Sequence, residues 1–389
     1  MTRRRIAVVS SSRADFCHLR WPLEDLRAHP DVDLELVALG PHLSPEFGRT
    51  VDEIEAAGFD VTERVECLLS SDTDVGMAKT LGVATLGLAD VFGRMRPDLV
   101  LVIADRYEML APASVALTLR IPLAHIEGGD RSEGAIDDAV RNALTKLAHL
   151  HLTPTATARD RVIAMGEEPW RVHHAGTPSL DNLRRLPLRP RDELERELGI
   201  DLSRPTALFA YHPVTLAHDT LREADAMYAA AERIAQPLVV CFPNADAGSR
   251  ALIERAQALC ARRDDARIVV NLDPRTYWSL LTHVAVMVGN SSSGIMESPS
   301  LALPAVNVGA RQDGRERARN VIDAAPDADA IVAAVETALS PSFRASLAGM
   351  TNPYGDGHSS ERIVRVLTET PLDERLLRKQ AVPLPEVRR

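Results

Sequence analysis

The sequence predicts an α/β protein built from two Rossmann-like, doubly wound domains facing a cleft. Three observations predict it. Short apolar runs alternate with helical-looking spacers from end to end, the pattern of parallel strands covered on both faces. The chain has 389 residues, more than one hydrophobic core ordinarily organises. A charged, proline-dotted stretch, LDNLRRLPLRPRDELERELGIDLSRP (180–205), separates two sets of such runs and reads as a linker. The expected division is 1–180, 181–358 and a last segment, 359–389.

The first half supplies IAVVS (6–10), LELVALG (34–40), LVLVIAD (99–105), LAHIEG (123–128) and HLHLTP (149–154). Each is short, apolar and followed by polar or small residues, as a buried strand is when it opens onto a ligand-binding edge. SSSRAD follows the first run and presents Arg13 and Asp15. GPHLSPEFG follows the second and presents His42. The third ends in Asp105, followed by Arg106 and Glu108. The fourth ends in Glu127 before Gly128 and Gly129, then an acidic loop holding Asp130, Glu133, Asp137 and Asp138. Carboxylates ending neighbouring strands, Asp105 and Glu127, can converge. Asp137, opening a helix near Ile136, approaches from a third direction. Crowded carboxylates push one another's pKa values apart, as acid–base chemistry requires. Glu133 and Asp138 read equally as solvated charges matched to a helix dipole. His149 and His151 alternate along one strand and read as structural.

The second half supplies TALFAYH (206–212), PLVVCFP (237–243), ARIVVNL (266–272), VAVMVGN (284–290) and PAVNVG (304–309). His212 ends the first of these. Asn244, Asp246 and Ser249 follow the second and open a helix. The fourth runs into SSSGIMESPSL, read as a helix whose tip carries Ser291, Ser292 and Ser293, with Glu297 about one turn on. A helix start has unpartnered N–H groups and partial positive charge, suited to an anion. Arg311 follows the last run, where the same crevice opens. The run reads either as a diphosphate cradle or as a serine cap on an ordinary helix.

Composition excludes several classes. Net charge is −10 with no basic block, which argues against nucleic acid as a partner. No 18-residue apolar run is evident that could span a membrane. The apolar run after MTRRR is too short for a secretory signal and reads as a first strand. The four cysteines are scattered without metal or redox spacing, so a reducing cytoplasm is expected and no metal site is assigned. No GxGxxG follows the first run, and no nicotinamide or other cofactor is expected.

In combination these segments resemble the hydrolysing UDP-N-acetylglucosamine 2-epimerases of sialic-acid-type sugar biosynthesis. The segments are SSSRAD, GPHLSPEFG, LLSSDTDVGMAK, ADRYEML, HIEGG…EGAIDDAVR, YHPVT, PNADAGSR, GNSSSGIMESPS, NVGARQDGR and NPYGDG. The resemblance covers almost the whole chain. It implies the glycosyltransferase-B fold and a C-terminal helix, SSERIVRVLTE (359–369), crossing back to the first domain. It implies that Ser291 and Ser292 bind the diphosphate, Glu297 the ribose and Arg311 a phosphate or its neighbourhood, with Arg13 also directed at the diphosphate and Ser293 a further substrate-binding candidate. Asp105, Glu127 and Asp137 match acids implicated in catalysis. His42, Arg106 and His212 match residues that position the sugar or take part in proton transfer. Asp130, where many members carry glutamate, competes with Glu127 for one acid role. Asn142 stands where a histidine is usual.

The implied reaction removes the C2 proton as the C1–O bond to UDP breaks, forming a glycal. Water then adds to give N-acetylmannosamine. Hydrolysis without epimerisation, or a retaining glycosyltransferase of the same fold, is the alternative, and a nucleotide-sugar binding protein a third. A nucleotide sugar is the expected partner, in a homodimer or homotetramer.

Overall fold

The computed structural model describes residues 3–69, 73–214, 221, 223–242, 249–270 and 272–380. The chain forms two compact units. One comprises Met1–Asp130, Asp137–Asp181 and Tyr354–Arg389. The other comprises Arg131–Ile136 and Asn182–Pro353.

The first unit holds a seven-stranded parallel sheet of β1 (Arg4–Ser10), β2 (Val32–Leu39), β3 (Val61–Val65), β4 (Leu99–Ile103), β5 (Leu123–Ile126), β6 (Leu150–Thr153) and β7 (Val172–His174), in the order β3-β2-β1-β4-β5-β6-β7. Order reverses between β1 and β4, which pair in parallel with Ile6 opposite Leu99. In such sheets the carboxyl ends at the reversal are where ligands bind. Alternate residues of β1 serve opposite faces. Ile6 and Val8 pack with Leu19, Leu23, Ile363 and Leu367. Ala7 and Val9 pack with Leu88, Val100, Val102 and Leu144. Both faces are therefore core, and Ile6, Ala7, Val8 and Val9 are apolar in succession.

The helix Arg13–Ala28 starts from a capping box. Ser12 Oγ accepts from Asp15 N–H, and the Asp15 side chain accepts in return from the Ser12 N–H. The helix Ser359–Glu369 packs on it, and Asp181 accepts from the N–H groups of Ser359 and Ser360, both at 2.9 Å. Arg171, wholly buried, donates to the carbonyls of His149, Leu376, Arg375 and Arg378, which fastens the segment after that helix to this unit.

The second unit holds a six-stranded parallel sheet of β8 (Ala207–Ala210), β9 (Leu238–Cys241), β10 (Ala266–Val269), β11 (Val286–Gly289), β12 (Ala305–Val308) and β13 (Val321–Ala324), in the order β10-β9-β8-β11-β12-β13. It reverses between β8 and β11. Phe209, Val286, Val288 and Ile331 lie in its core. The short segment Arg131–Ile136 joins this unit through Glu133 N–H, which donates to Asp313 O at 3.0 Å. Gly134 lies so close on Ala310 that any side chain would collide with its carbonyl.

Two expectations need correction. The helix Asp74–Met95 is long and apolar enough, by length and composition, to cross a membrane. One side, with Ala84, Leu88 and Phe92, packs against the first sheet, while Val75, Val83 and Leu86 face outward. Apolar residues on both sides give it this composition. The stretch after β11 is not a continuous helix. It is one turn, Ser293–Met296, followed by a 3-10 turn, Ser298–Leu301. Pro299 lacks the N–H that a continuing helix needs, and so short a helix carries little dipole.

Candidate active-site residues

In the first unit the acids stand where β4 and β5 end. Ala104 (φ +56°) and Glu127 (φ +64°) both adopt left-handed backbone, uncommon for residues with a Cβ and typical of functional turns. Their ladders continue one step, Ala104 N–H donating to Ile126 O at 2.9 Å and Glu127 N–H to Leu152 O at 2.8 Å.

Asp105 pairs with the guanidinium of Arg141, a buried residue of the helix Asp137–Leu147. Arg141 also donates to Asp130 O at 3.1 Å and reaches Asp138 Oδ1 at 3.5 Å. One cation thus ties together the end of β4, the acidic loop and the start of the next helix. Asp137 opens that helix one turn before Arg141, and Asn142 donates to Asp138 at 3.1 Å. Sequence reasoning missed Arg141. Its signal was the spacing from Asp137, four residues along one helical face.

Glu127 is buried and bonded elsewhere. His18 Nδ1 lies 2.9 Å from its Oε1, and Thr177 Oγ1 donates to the same oxygen. His18 and Thr177 were also missed. Asp130 is buried, and its backbone carbonyl accepts from Arg141.

Arg106 donates to Glu108 at 3.0 Å. Glu108 is fully enclosed, and burial raises its pKa despite the opposing pull of Arg106. Asp15 is likewise raised by burial, against Arg106 and three hydrogen bonds from Ser11 and Ser12. His42 is fully buried, with Nε2 on Ser10 Oγ and Nδ1 on Thr50 Oγ1, both at 2.8 Å. Burial, then the charge of Arg106, lowers its pKa to about 3, so the ring is neutral. Both ring nitrogens thus have internal partners, Ser10 at the end of β1 and Thr50. Arg13 lies at its helix start, partly exposed.

In the second unit Asn290, just past β11, bridges to the residue just past β8. Its Oδ1 accepts from His212 N–H at 2.7 Å, and its Nδ2 donates to His212 O at 2.9 Å. The Asn290 carbonyl accepts from Arg311 Nη1 at 3.0 Å and Gln312 Nε2 at 2.8 Å. His212, Asn290 and Arg311 therefore form one group at the sheet reversal. Gly289 (φ +140°) has no alternative there, because a side chain would run into Ala210 O. His212 is buried, and burial with the Arg311 charge lowers its pKa to about 3, leaving a neutral imidazole.

The three serines differ. Ser291 and Ser292 are partly exposed, whereas Ser293 is buried with Oγ bonded to Tyr277 Oη at 2.6 Å. Glu297 is buried at the end of the single turn. Ser249 begins the helix Ser249–Arg262, while Asn244 and Asp246 lie outside the described residues. Among the described residues no group of three or more His, Cys, Asp or Glu side chains is arranged to hold a metal ion.

The sequence profile of the family described as UDP-N-acetylglucosamine 2-epimerase matches residues 24–368. The chain is 36% identical over 378 residues to the UDP-N,N'-diacetylbacillosamine 2-epimerase (hydrolyzing) of Legionella pneumophila, covering 97% of this chain and 98% of that one. It is 36% identical over 326 residues to the GDP/UDP-N,N'-diacetylbacillosamine 2-epimerase (hydrolyzing) of Campylobacter jejuni, covering 83% and 85%. Its fold matches the crystal structure of UDP-GlcNAc 2-epimerase from Neisseria meningitidis bound to UDP-GlcNAc, with a TM-score of 0.80 at 18% identity, over 94% of this chain and 100% of that one. Two Rossmann-like parallel-sheet units of the glycosyltransferase-B type are thus the fold of this protein. With the family profile spanning most of its length and full-length relatives above a third identical, the chain belongs to the UDP-N-acetylglucosamine 2-epimerase family and is an enzyme of it.

Proposed function

We propose that the protein is a hydrolysing 2-epimerase that converts UDP-N-acetylglucosamine, or a closely related nucleotide sugar, to the 2-epimeric free sugar and UDP through a glycal. The observation that carries this reading is the pairing of Asp105 with buried Arg141 beside Asp137 and Asp138. It supplies carboxylates held by a fixed cation, as proton removal at C2 and proton return require. In this reading Asp105, Glu127, Asp130 and Asp137 are the candidate acids and bases, and neutral His212 a proton-transfer group. Arg13, His42, Arg106, Ser291, Ser292, Ser293, Glu297 and Arg311 bind the nucleotide and sugar. Donors around the diphosphate stabilise leaving-group charge as it forms, and one such donor is commonly worth roughly 3 kcal/mol of barrier.

A second reading differs only in the sugar. The two relatives at 36% identity are named for N,N'-diacetylbacillosamine, whereas the UDP-N-acetylglucosamine 2-epimerase of Neisseria meningitidis is 31% identical over 87% of this chain. That order favours a 2,4-diacetamido-6-deoxy sugar. Parallel incubations with both UDP-sugars, with UDP and free sugar quantified, test the function and choose between the substrates. Release of UDP with the 2-epimer from either supports the function. Release of the unepimerised sugar from both gives plain hydrolysis, and turnover only with an added acceptor gives transfer.

The enzyme acts in the cytoplasm as a homodimer or homotetramer, without nucleic-acid or membrane partners. Four scattered cysteines without metal or redox spacing and the net charge of −10 support this. Assembly is supported by the exposed side chains Val75, Val83 and Leu86, on the helix Asp74–Met95 that packs beside the Leu117-bearing helix Leu110–Leu119. Light scattering gives the subunit count. Leu86→Glu is expected to lower it, and an unchanged mass contradicts assembly through this face.

A further inference from the structure

We propose that His125 is a positioning residue for Asp105, acting through the backbone carbonyl of Ala104; the proposal rests on the reading of Asp105 as an acid of the reaction. His125 stands on β5 and is fully buried. Its Nε2 lies 2.7 Å from Ala104 O. A carbonyl oxygen only accepts, so Nε2 carries the proton. The other nitrogen, Nδ1, is buried without a hydrogen-bond partner. Gly128 packs against that side of the ring, since a Cβ there would stand 2.9 Å from Nδ1 and 3.3 Å from Cε1. Leaving a buried acceptor unmade is unfavourable. The ring is therefore held for the bond that its other nitrogen makes.

That bond falls on a strained peptide. Ala104 has a left-handed backbone, a conformation that persists in a residue with a Cβ only when its surroundings enforce it. Its N–H is fixed by Ile126 O at 2.9 Å, and its carbonyl by His125. The two bonds set the turn from which Asp105 reaches Arg141. Burial lowers the imidazole pKa to about 4, so the ring stays neutral with its proton on Nε2 near neutral pH. Two residues on, immediately past the end of the same strand, stands Glu127. One strand thereby aligns both strand-end acids, Glu127 directly and Asp105 through a side chain.

His125→Gln and His125→Met test this, because the side chains match in length and only glutamine keeps a donor. A displacement of about 1 Å at a reacting group can cost on the order of 100-fold in rate. Methionine is expected to lower kcat about 100-fold, with KM and UDP affinity changed less than about twofold, and glutamine to restore kcat to within about fivefold of wild type. Equal loss in both variants, or no loss with methionine, overturns the proposal. Two readouts stand apart from turnover. The imidazole nitrogen spectrum of the wild-type protein is expected to show a protonated Nε2 and a bare Nδ1, and the opposite tautomer overturns it. A crystal structure of His125→Met is expected to show Ala104 relaxed and Asp105 off Arg141; an unmoved Asp105 overturns it. If the wild type turns over no nucleotide sugar, the functional reading fails, while these two readouts still decide the role of His125.

Discussion

Asn290 and His212 are joined by a closed pair of hydrogen bonds, from side-chain amide to backbone, at 2.7 and 2.9 Å. The pair spans the reversal of the second sheet and sets the backbone that carries the His212 ring. It also explains why a buried asparagine stands at a position that otherwise reads as part of a loop.

Asn290→Ala is expected to destabilise the second unit by about 2–3 kcal/mol, since the His212 N–H and carbonyl would stay buried with lost partners. Asn290→Asp keeps the acceptor but loses the donor. Urea unfolding checks this through a lowered midpoint of one transition. An unchanged midpoint for the alanine variant contradicts the bridge.

Acid stability follows from the buried histidines. His42 and His212 are lowered to about 3, and His125 and His149 to about 4, chiefly by burial. The unfolded chain has them near 6.5. Above pH 6.5 neither state binds these protons, and the folded state loses nothing. As pH falls below 6.5 the unfolded chain binds them first, so each histidine removes up to about 1.4 kcal/mol of stability per pH unit. The loss continues to about pH 4 for one pair and about pH 3 for the other. Asp15 and Glu108, raised by burial, act in the opposite sense in acid. Denaturation midpoints at pH 7.5 and 5 are expected to differ strongly, and equal midpoints contradict neutral burial of the rings.

Nucleotide binding and chemistry separate by residue. Asp105→Asn is expected to abolish turnover while leaving UDP affinity nearly unchanged. Arg311→Ala is expected to weaken UDP binding by about 10-fold or more, as loss of a charge-assisted phosphate contact does. Calorimetric titration with UDP checks both. A large loss of affinity in the first variant, or none in the second, reverses the roles given to these two residues.

The sequence shows the central strands plainly and the edges poorly. IAVV and VAVMV are apolar at every position because helices cover both faces of β1 and β11. β3 and β13 escape because they lie at sheet edges. VTERV alternates buried and exposed residues, and VIDA has no buried residue at all. Strand-end acids are legible as residue types, but their partners are not. Asp105 meets Arg141, and Glu127 meets His18 and Thr177, only because the sheet order brings distant segments together. His42 likewise meets Ser10 and Thr50 on its two ring nitrogens through the fold and not through its neighbours in sequence. The serine run reads as a helix until Pro299, five residues on from Gly294, limits it to a turn.

The most direct test of the proposed chemistry is turnover in heavy water, with the C2 position of the released sugar read by NMR. Removal and return of the C2 proton predicts deuterium at C2 of the epimerised product, and none in an Asp105→Asn control. Released sugar that keeps its original C2 proton and configuration would contradict the account.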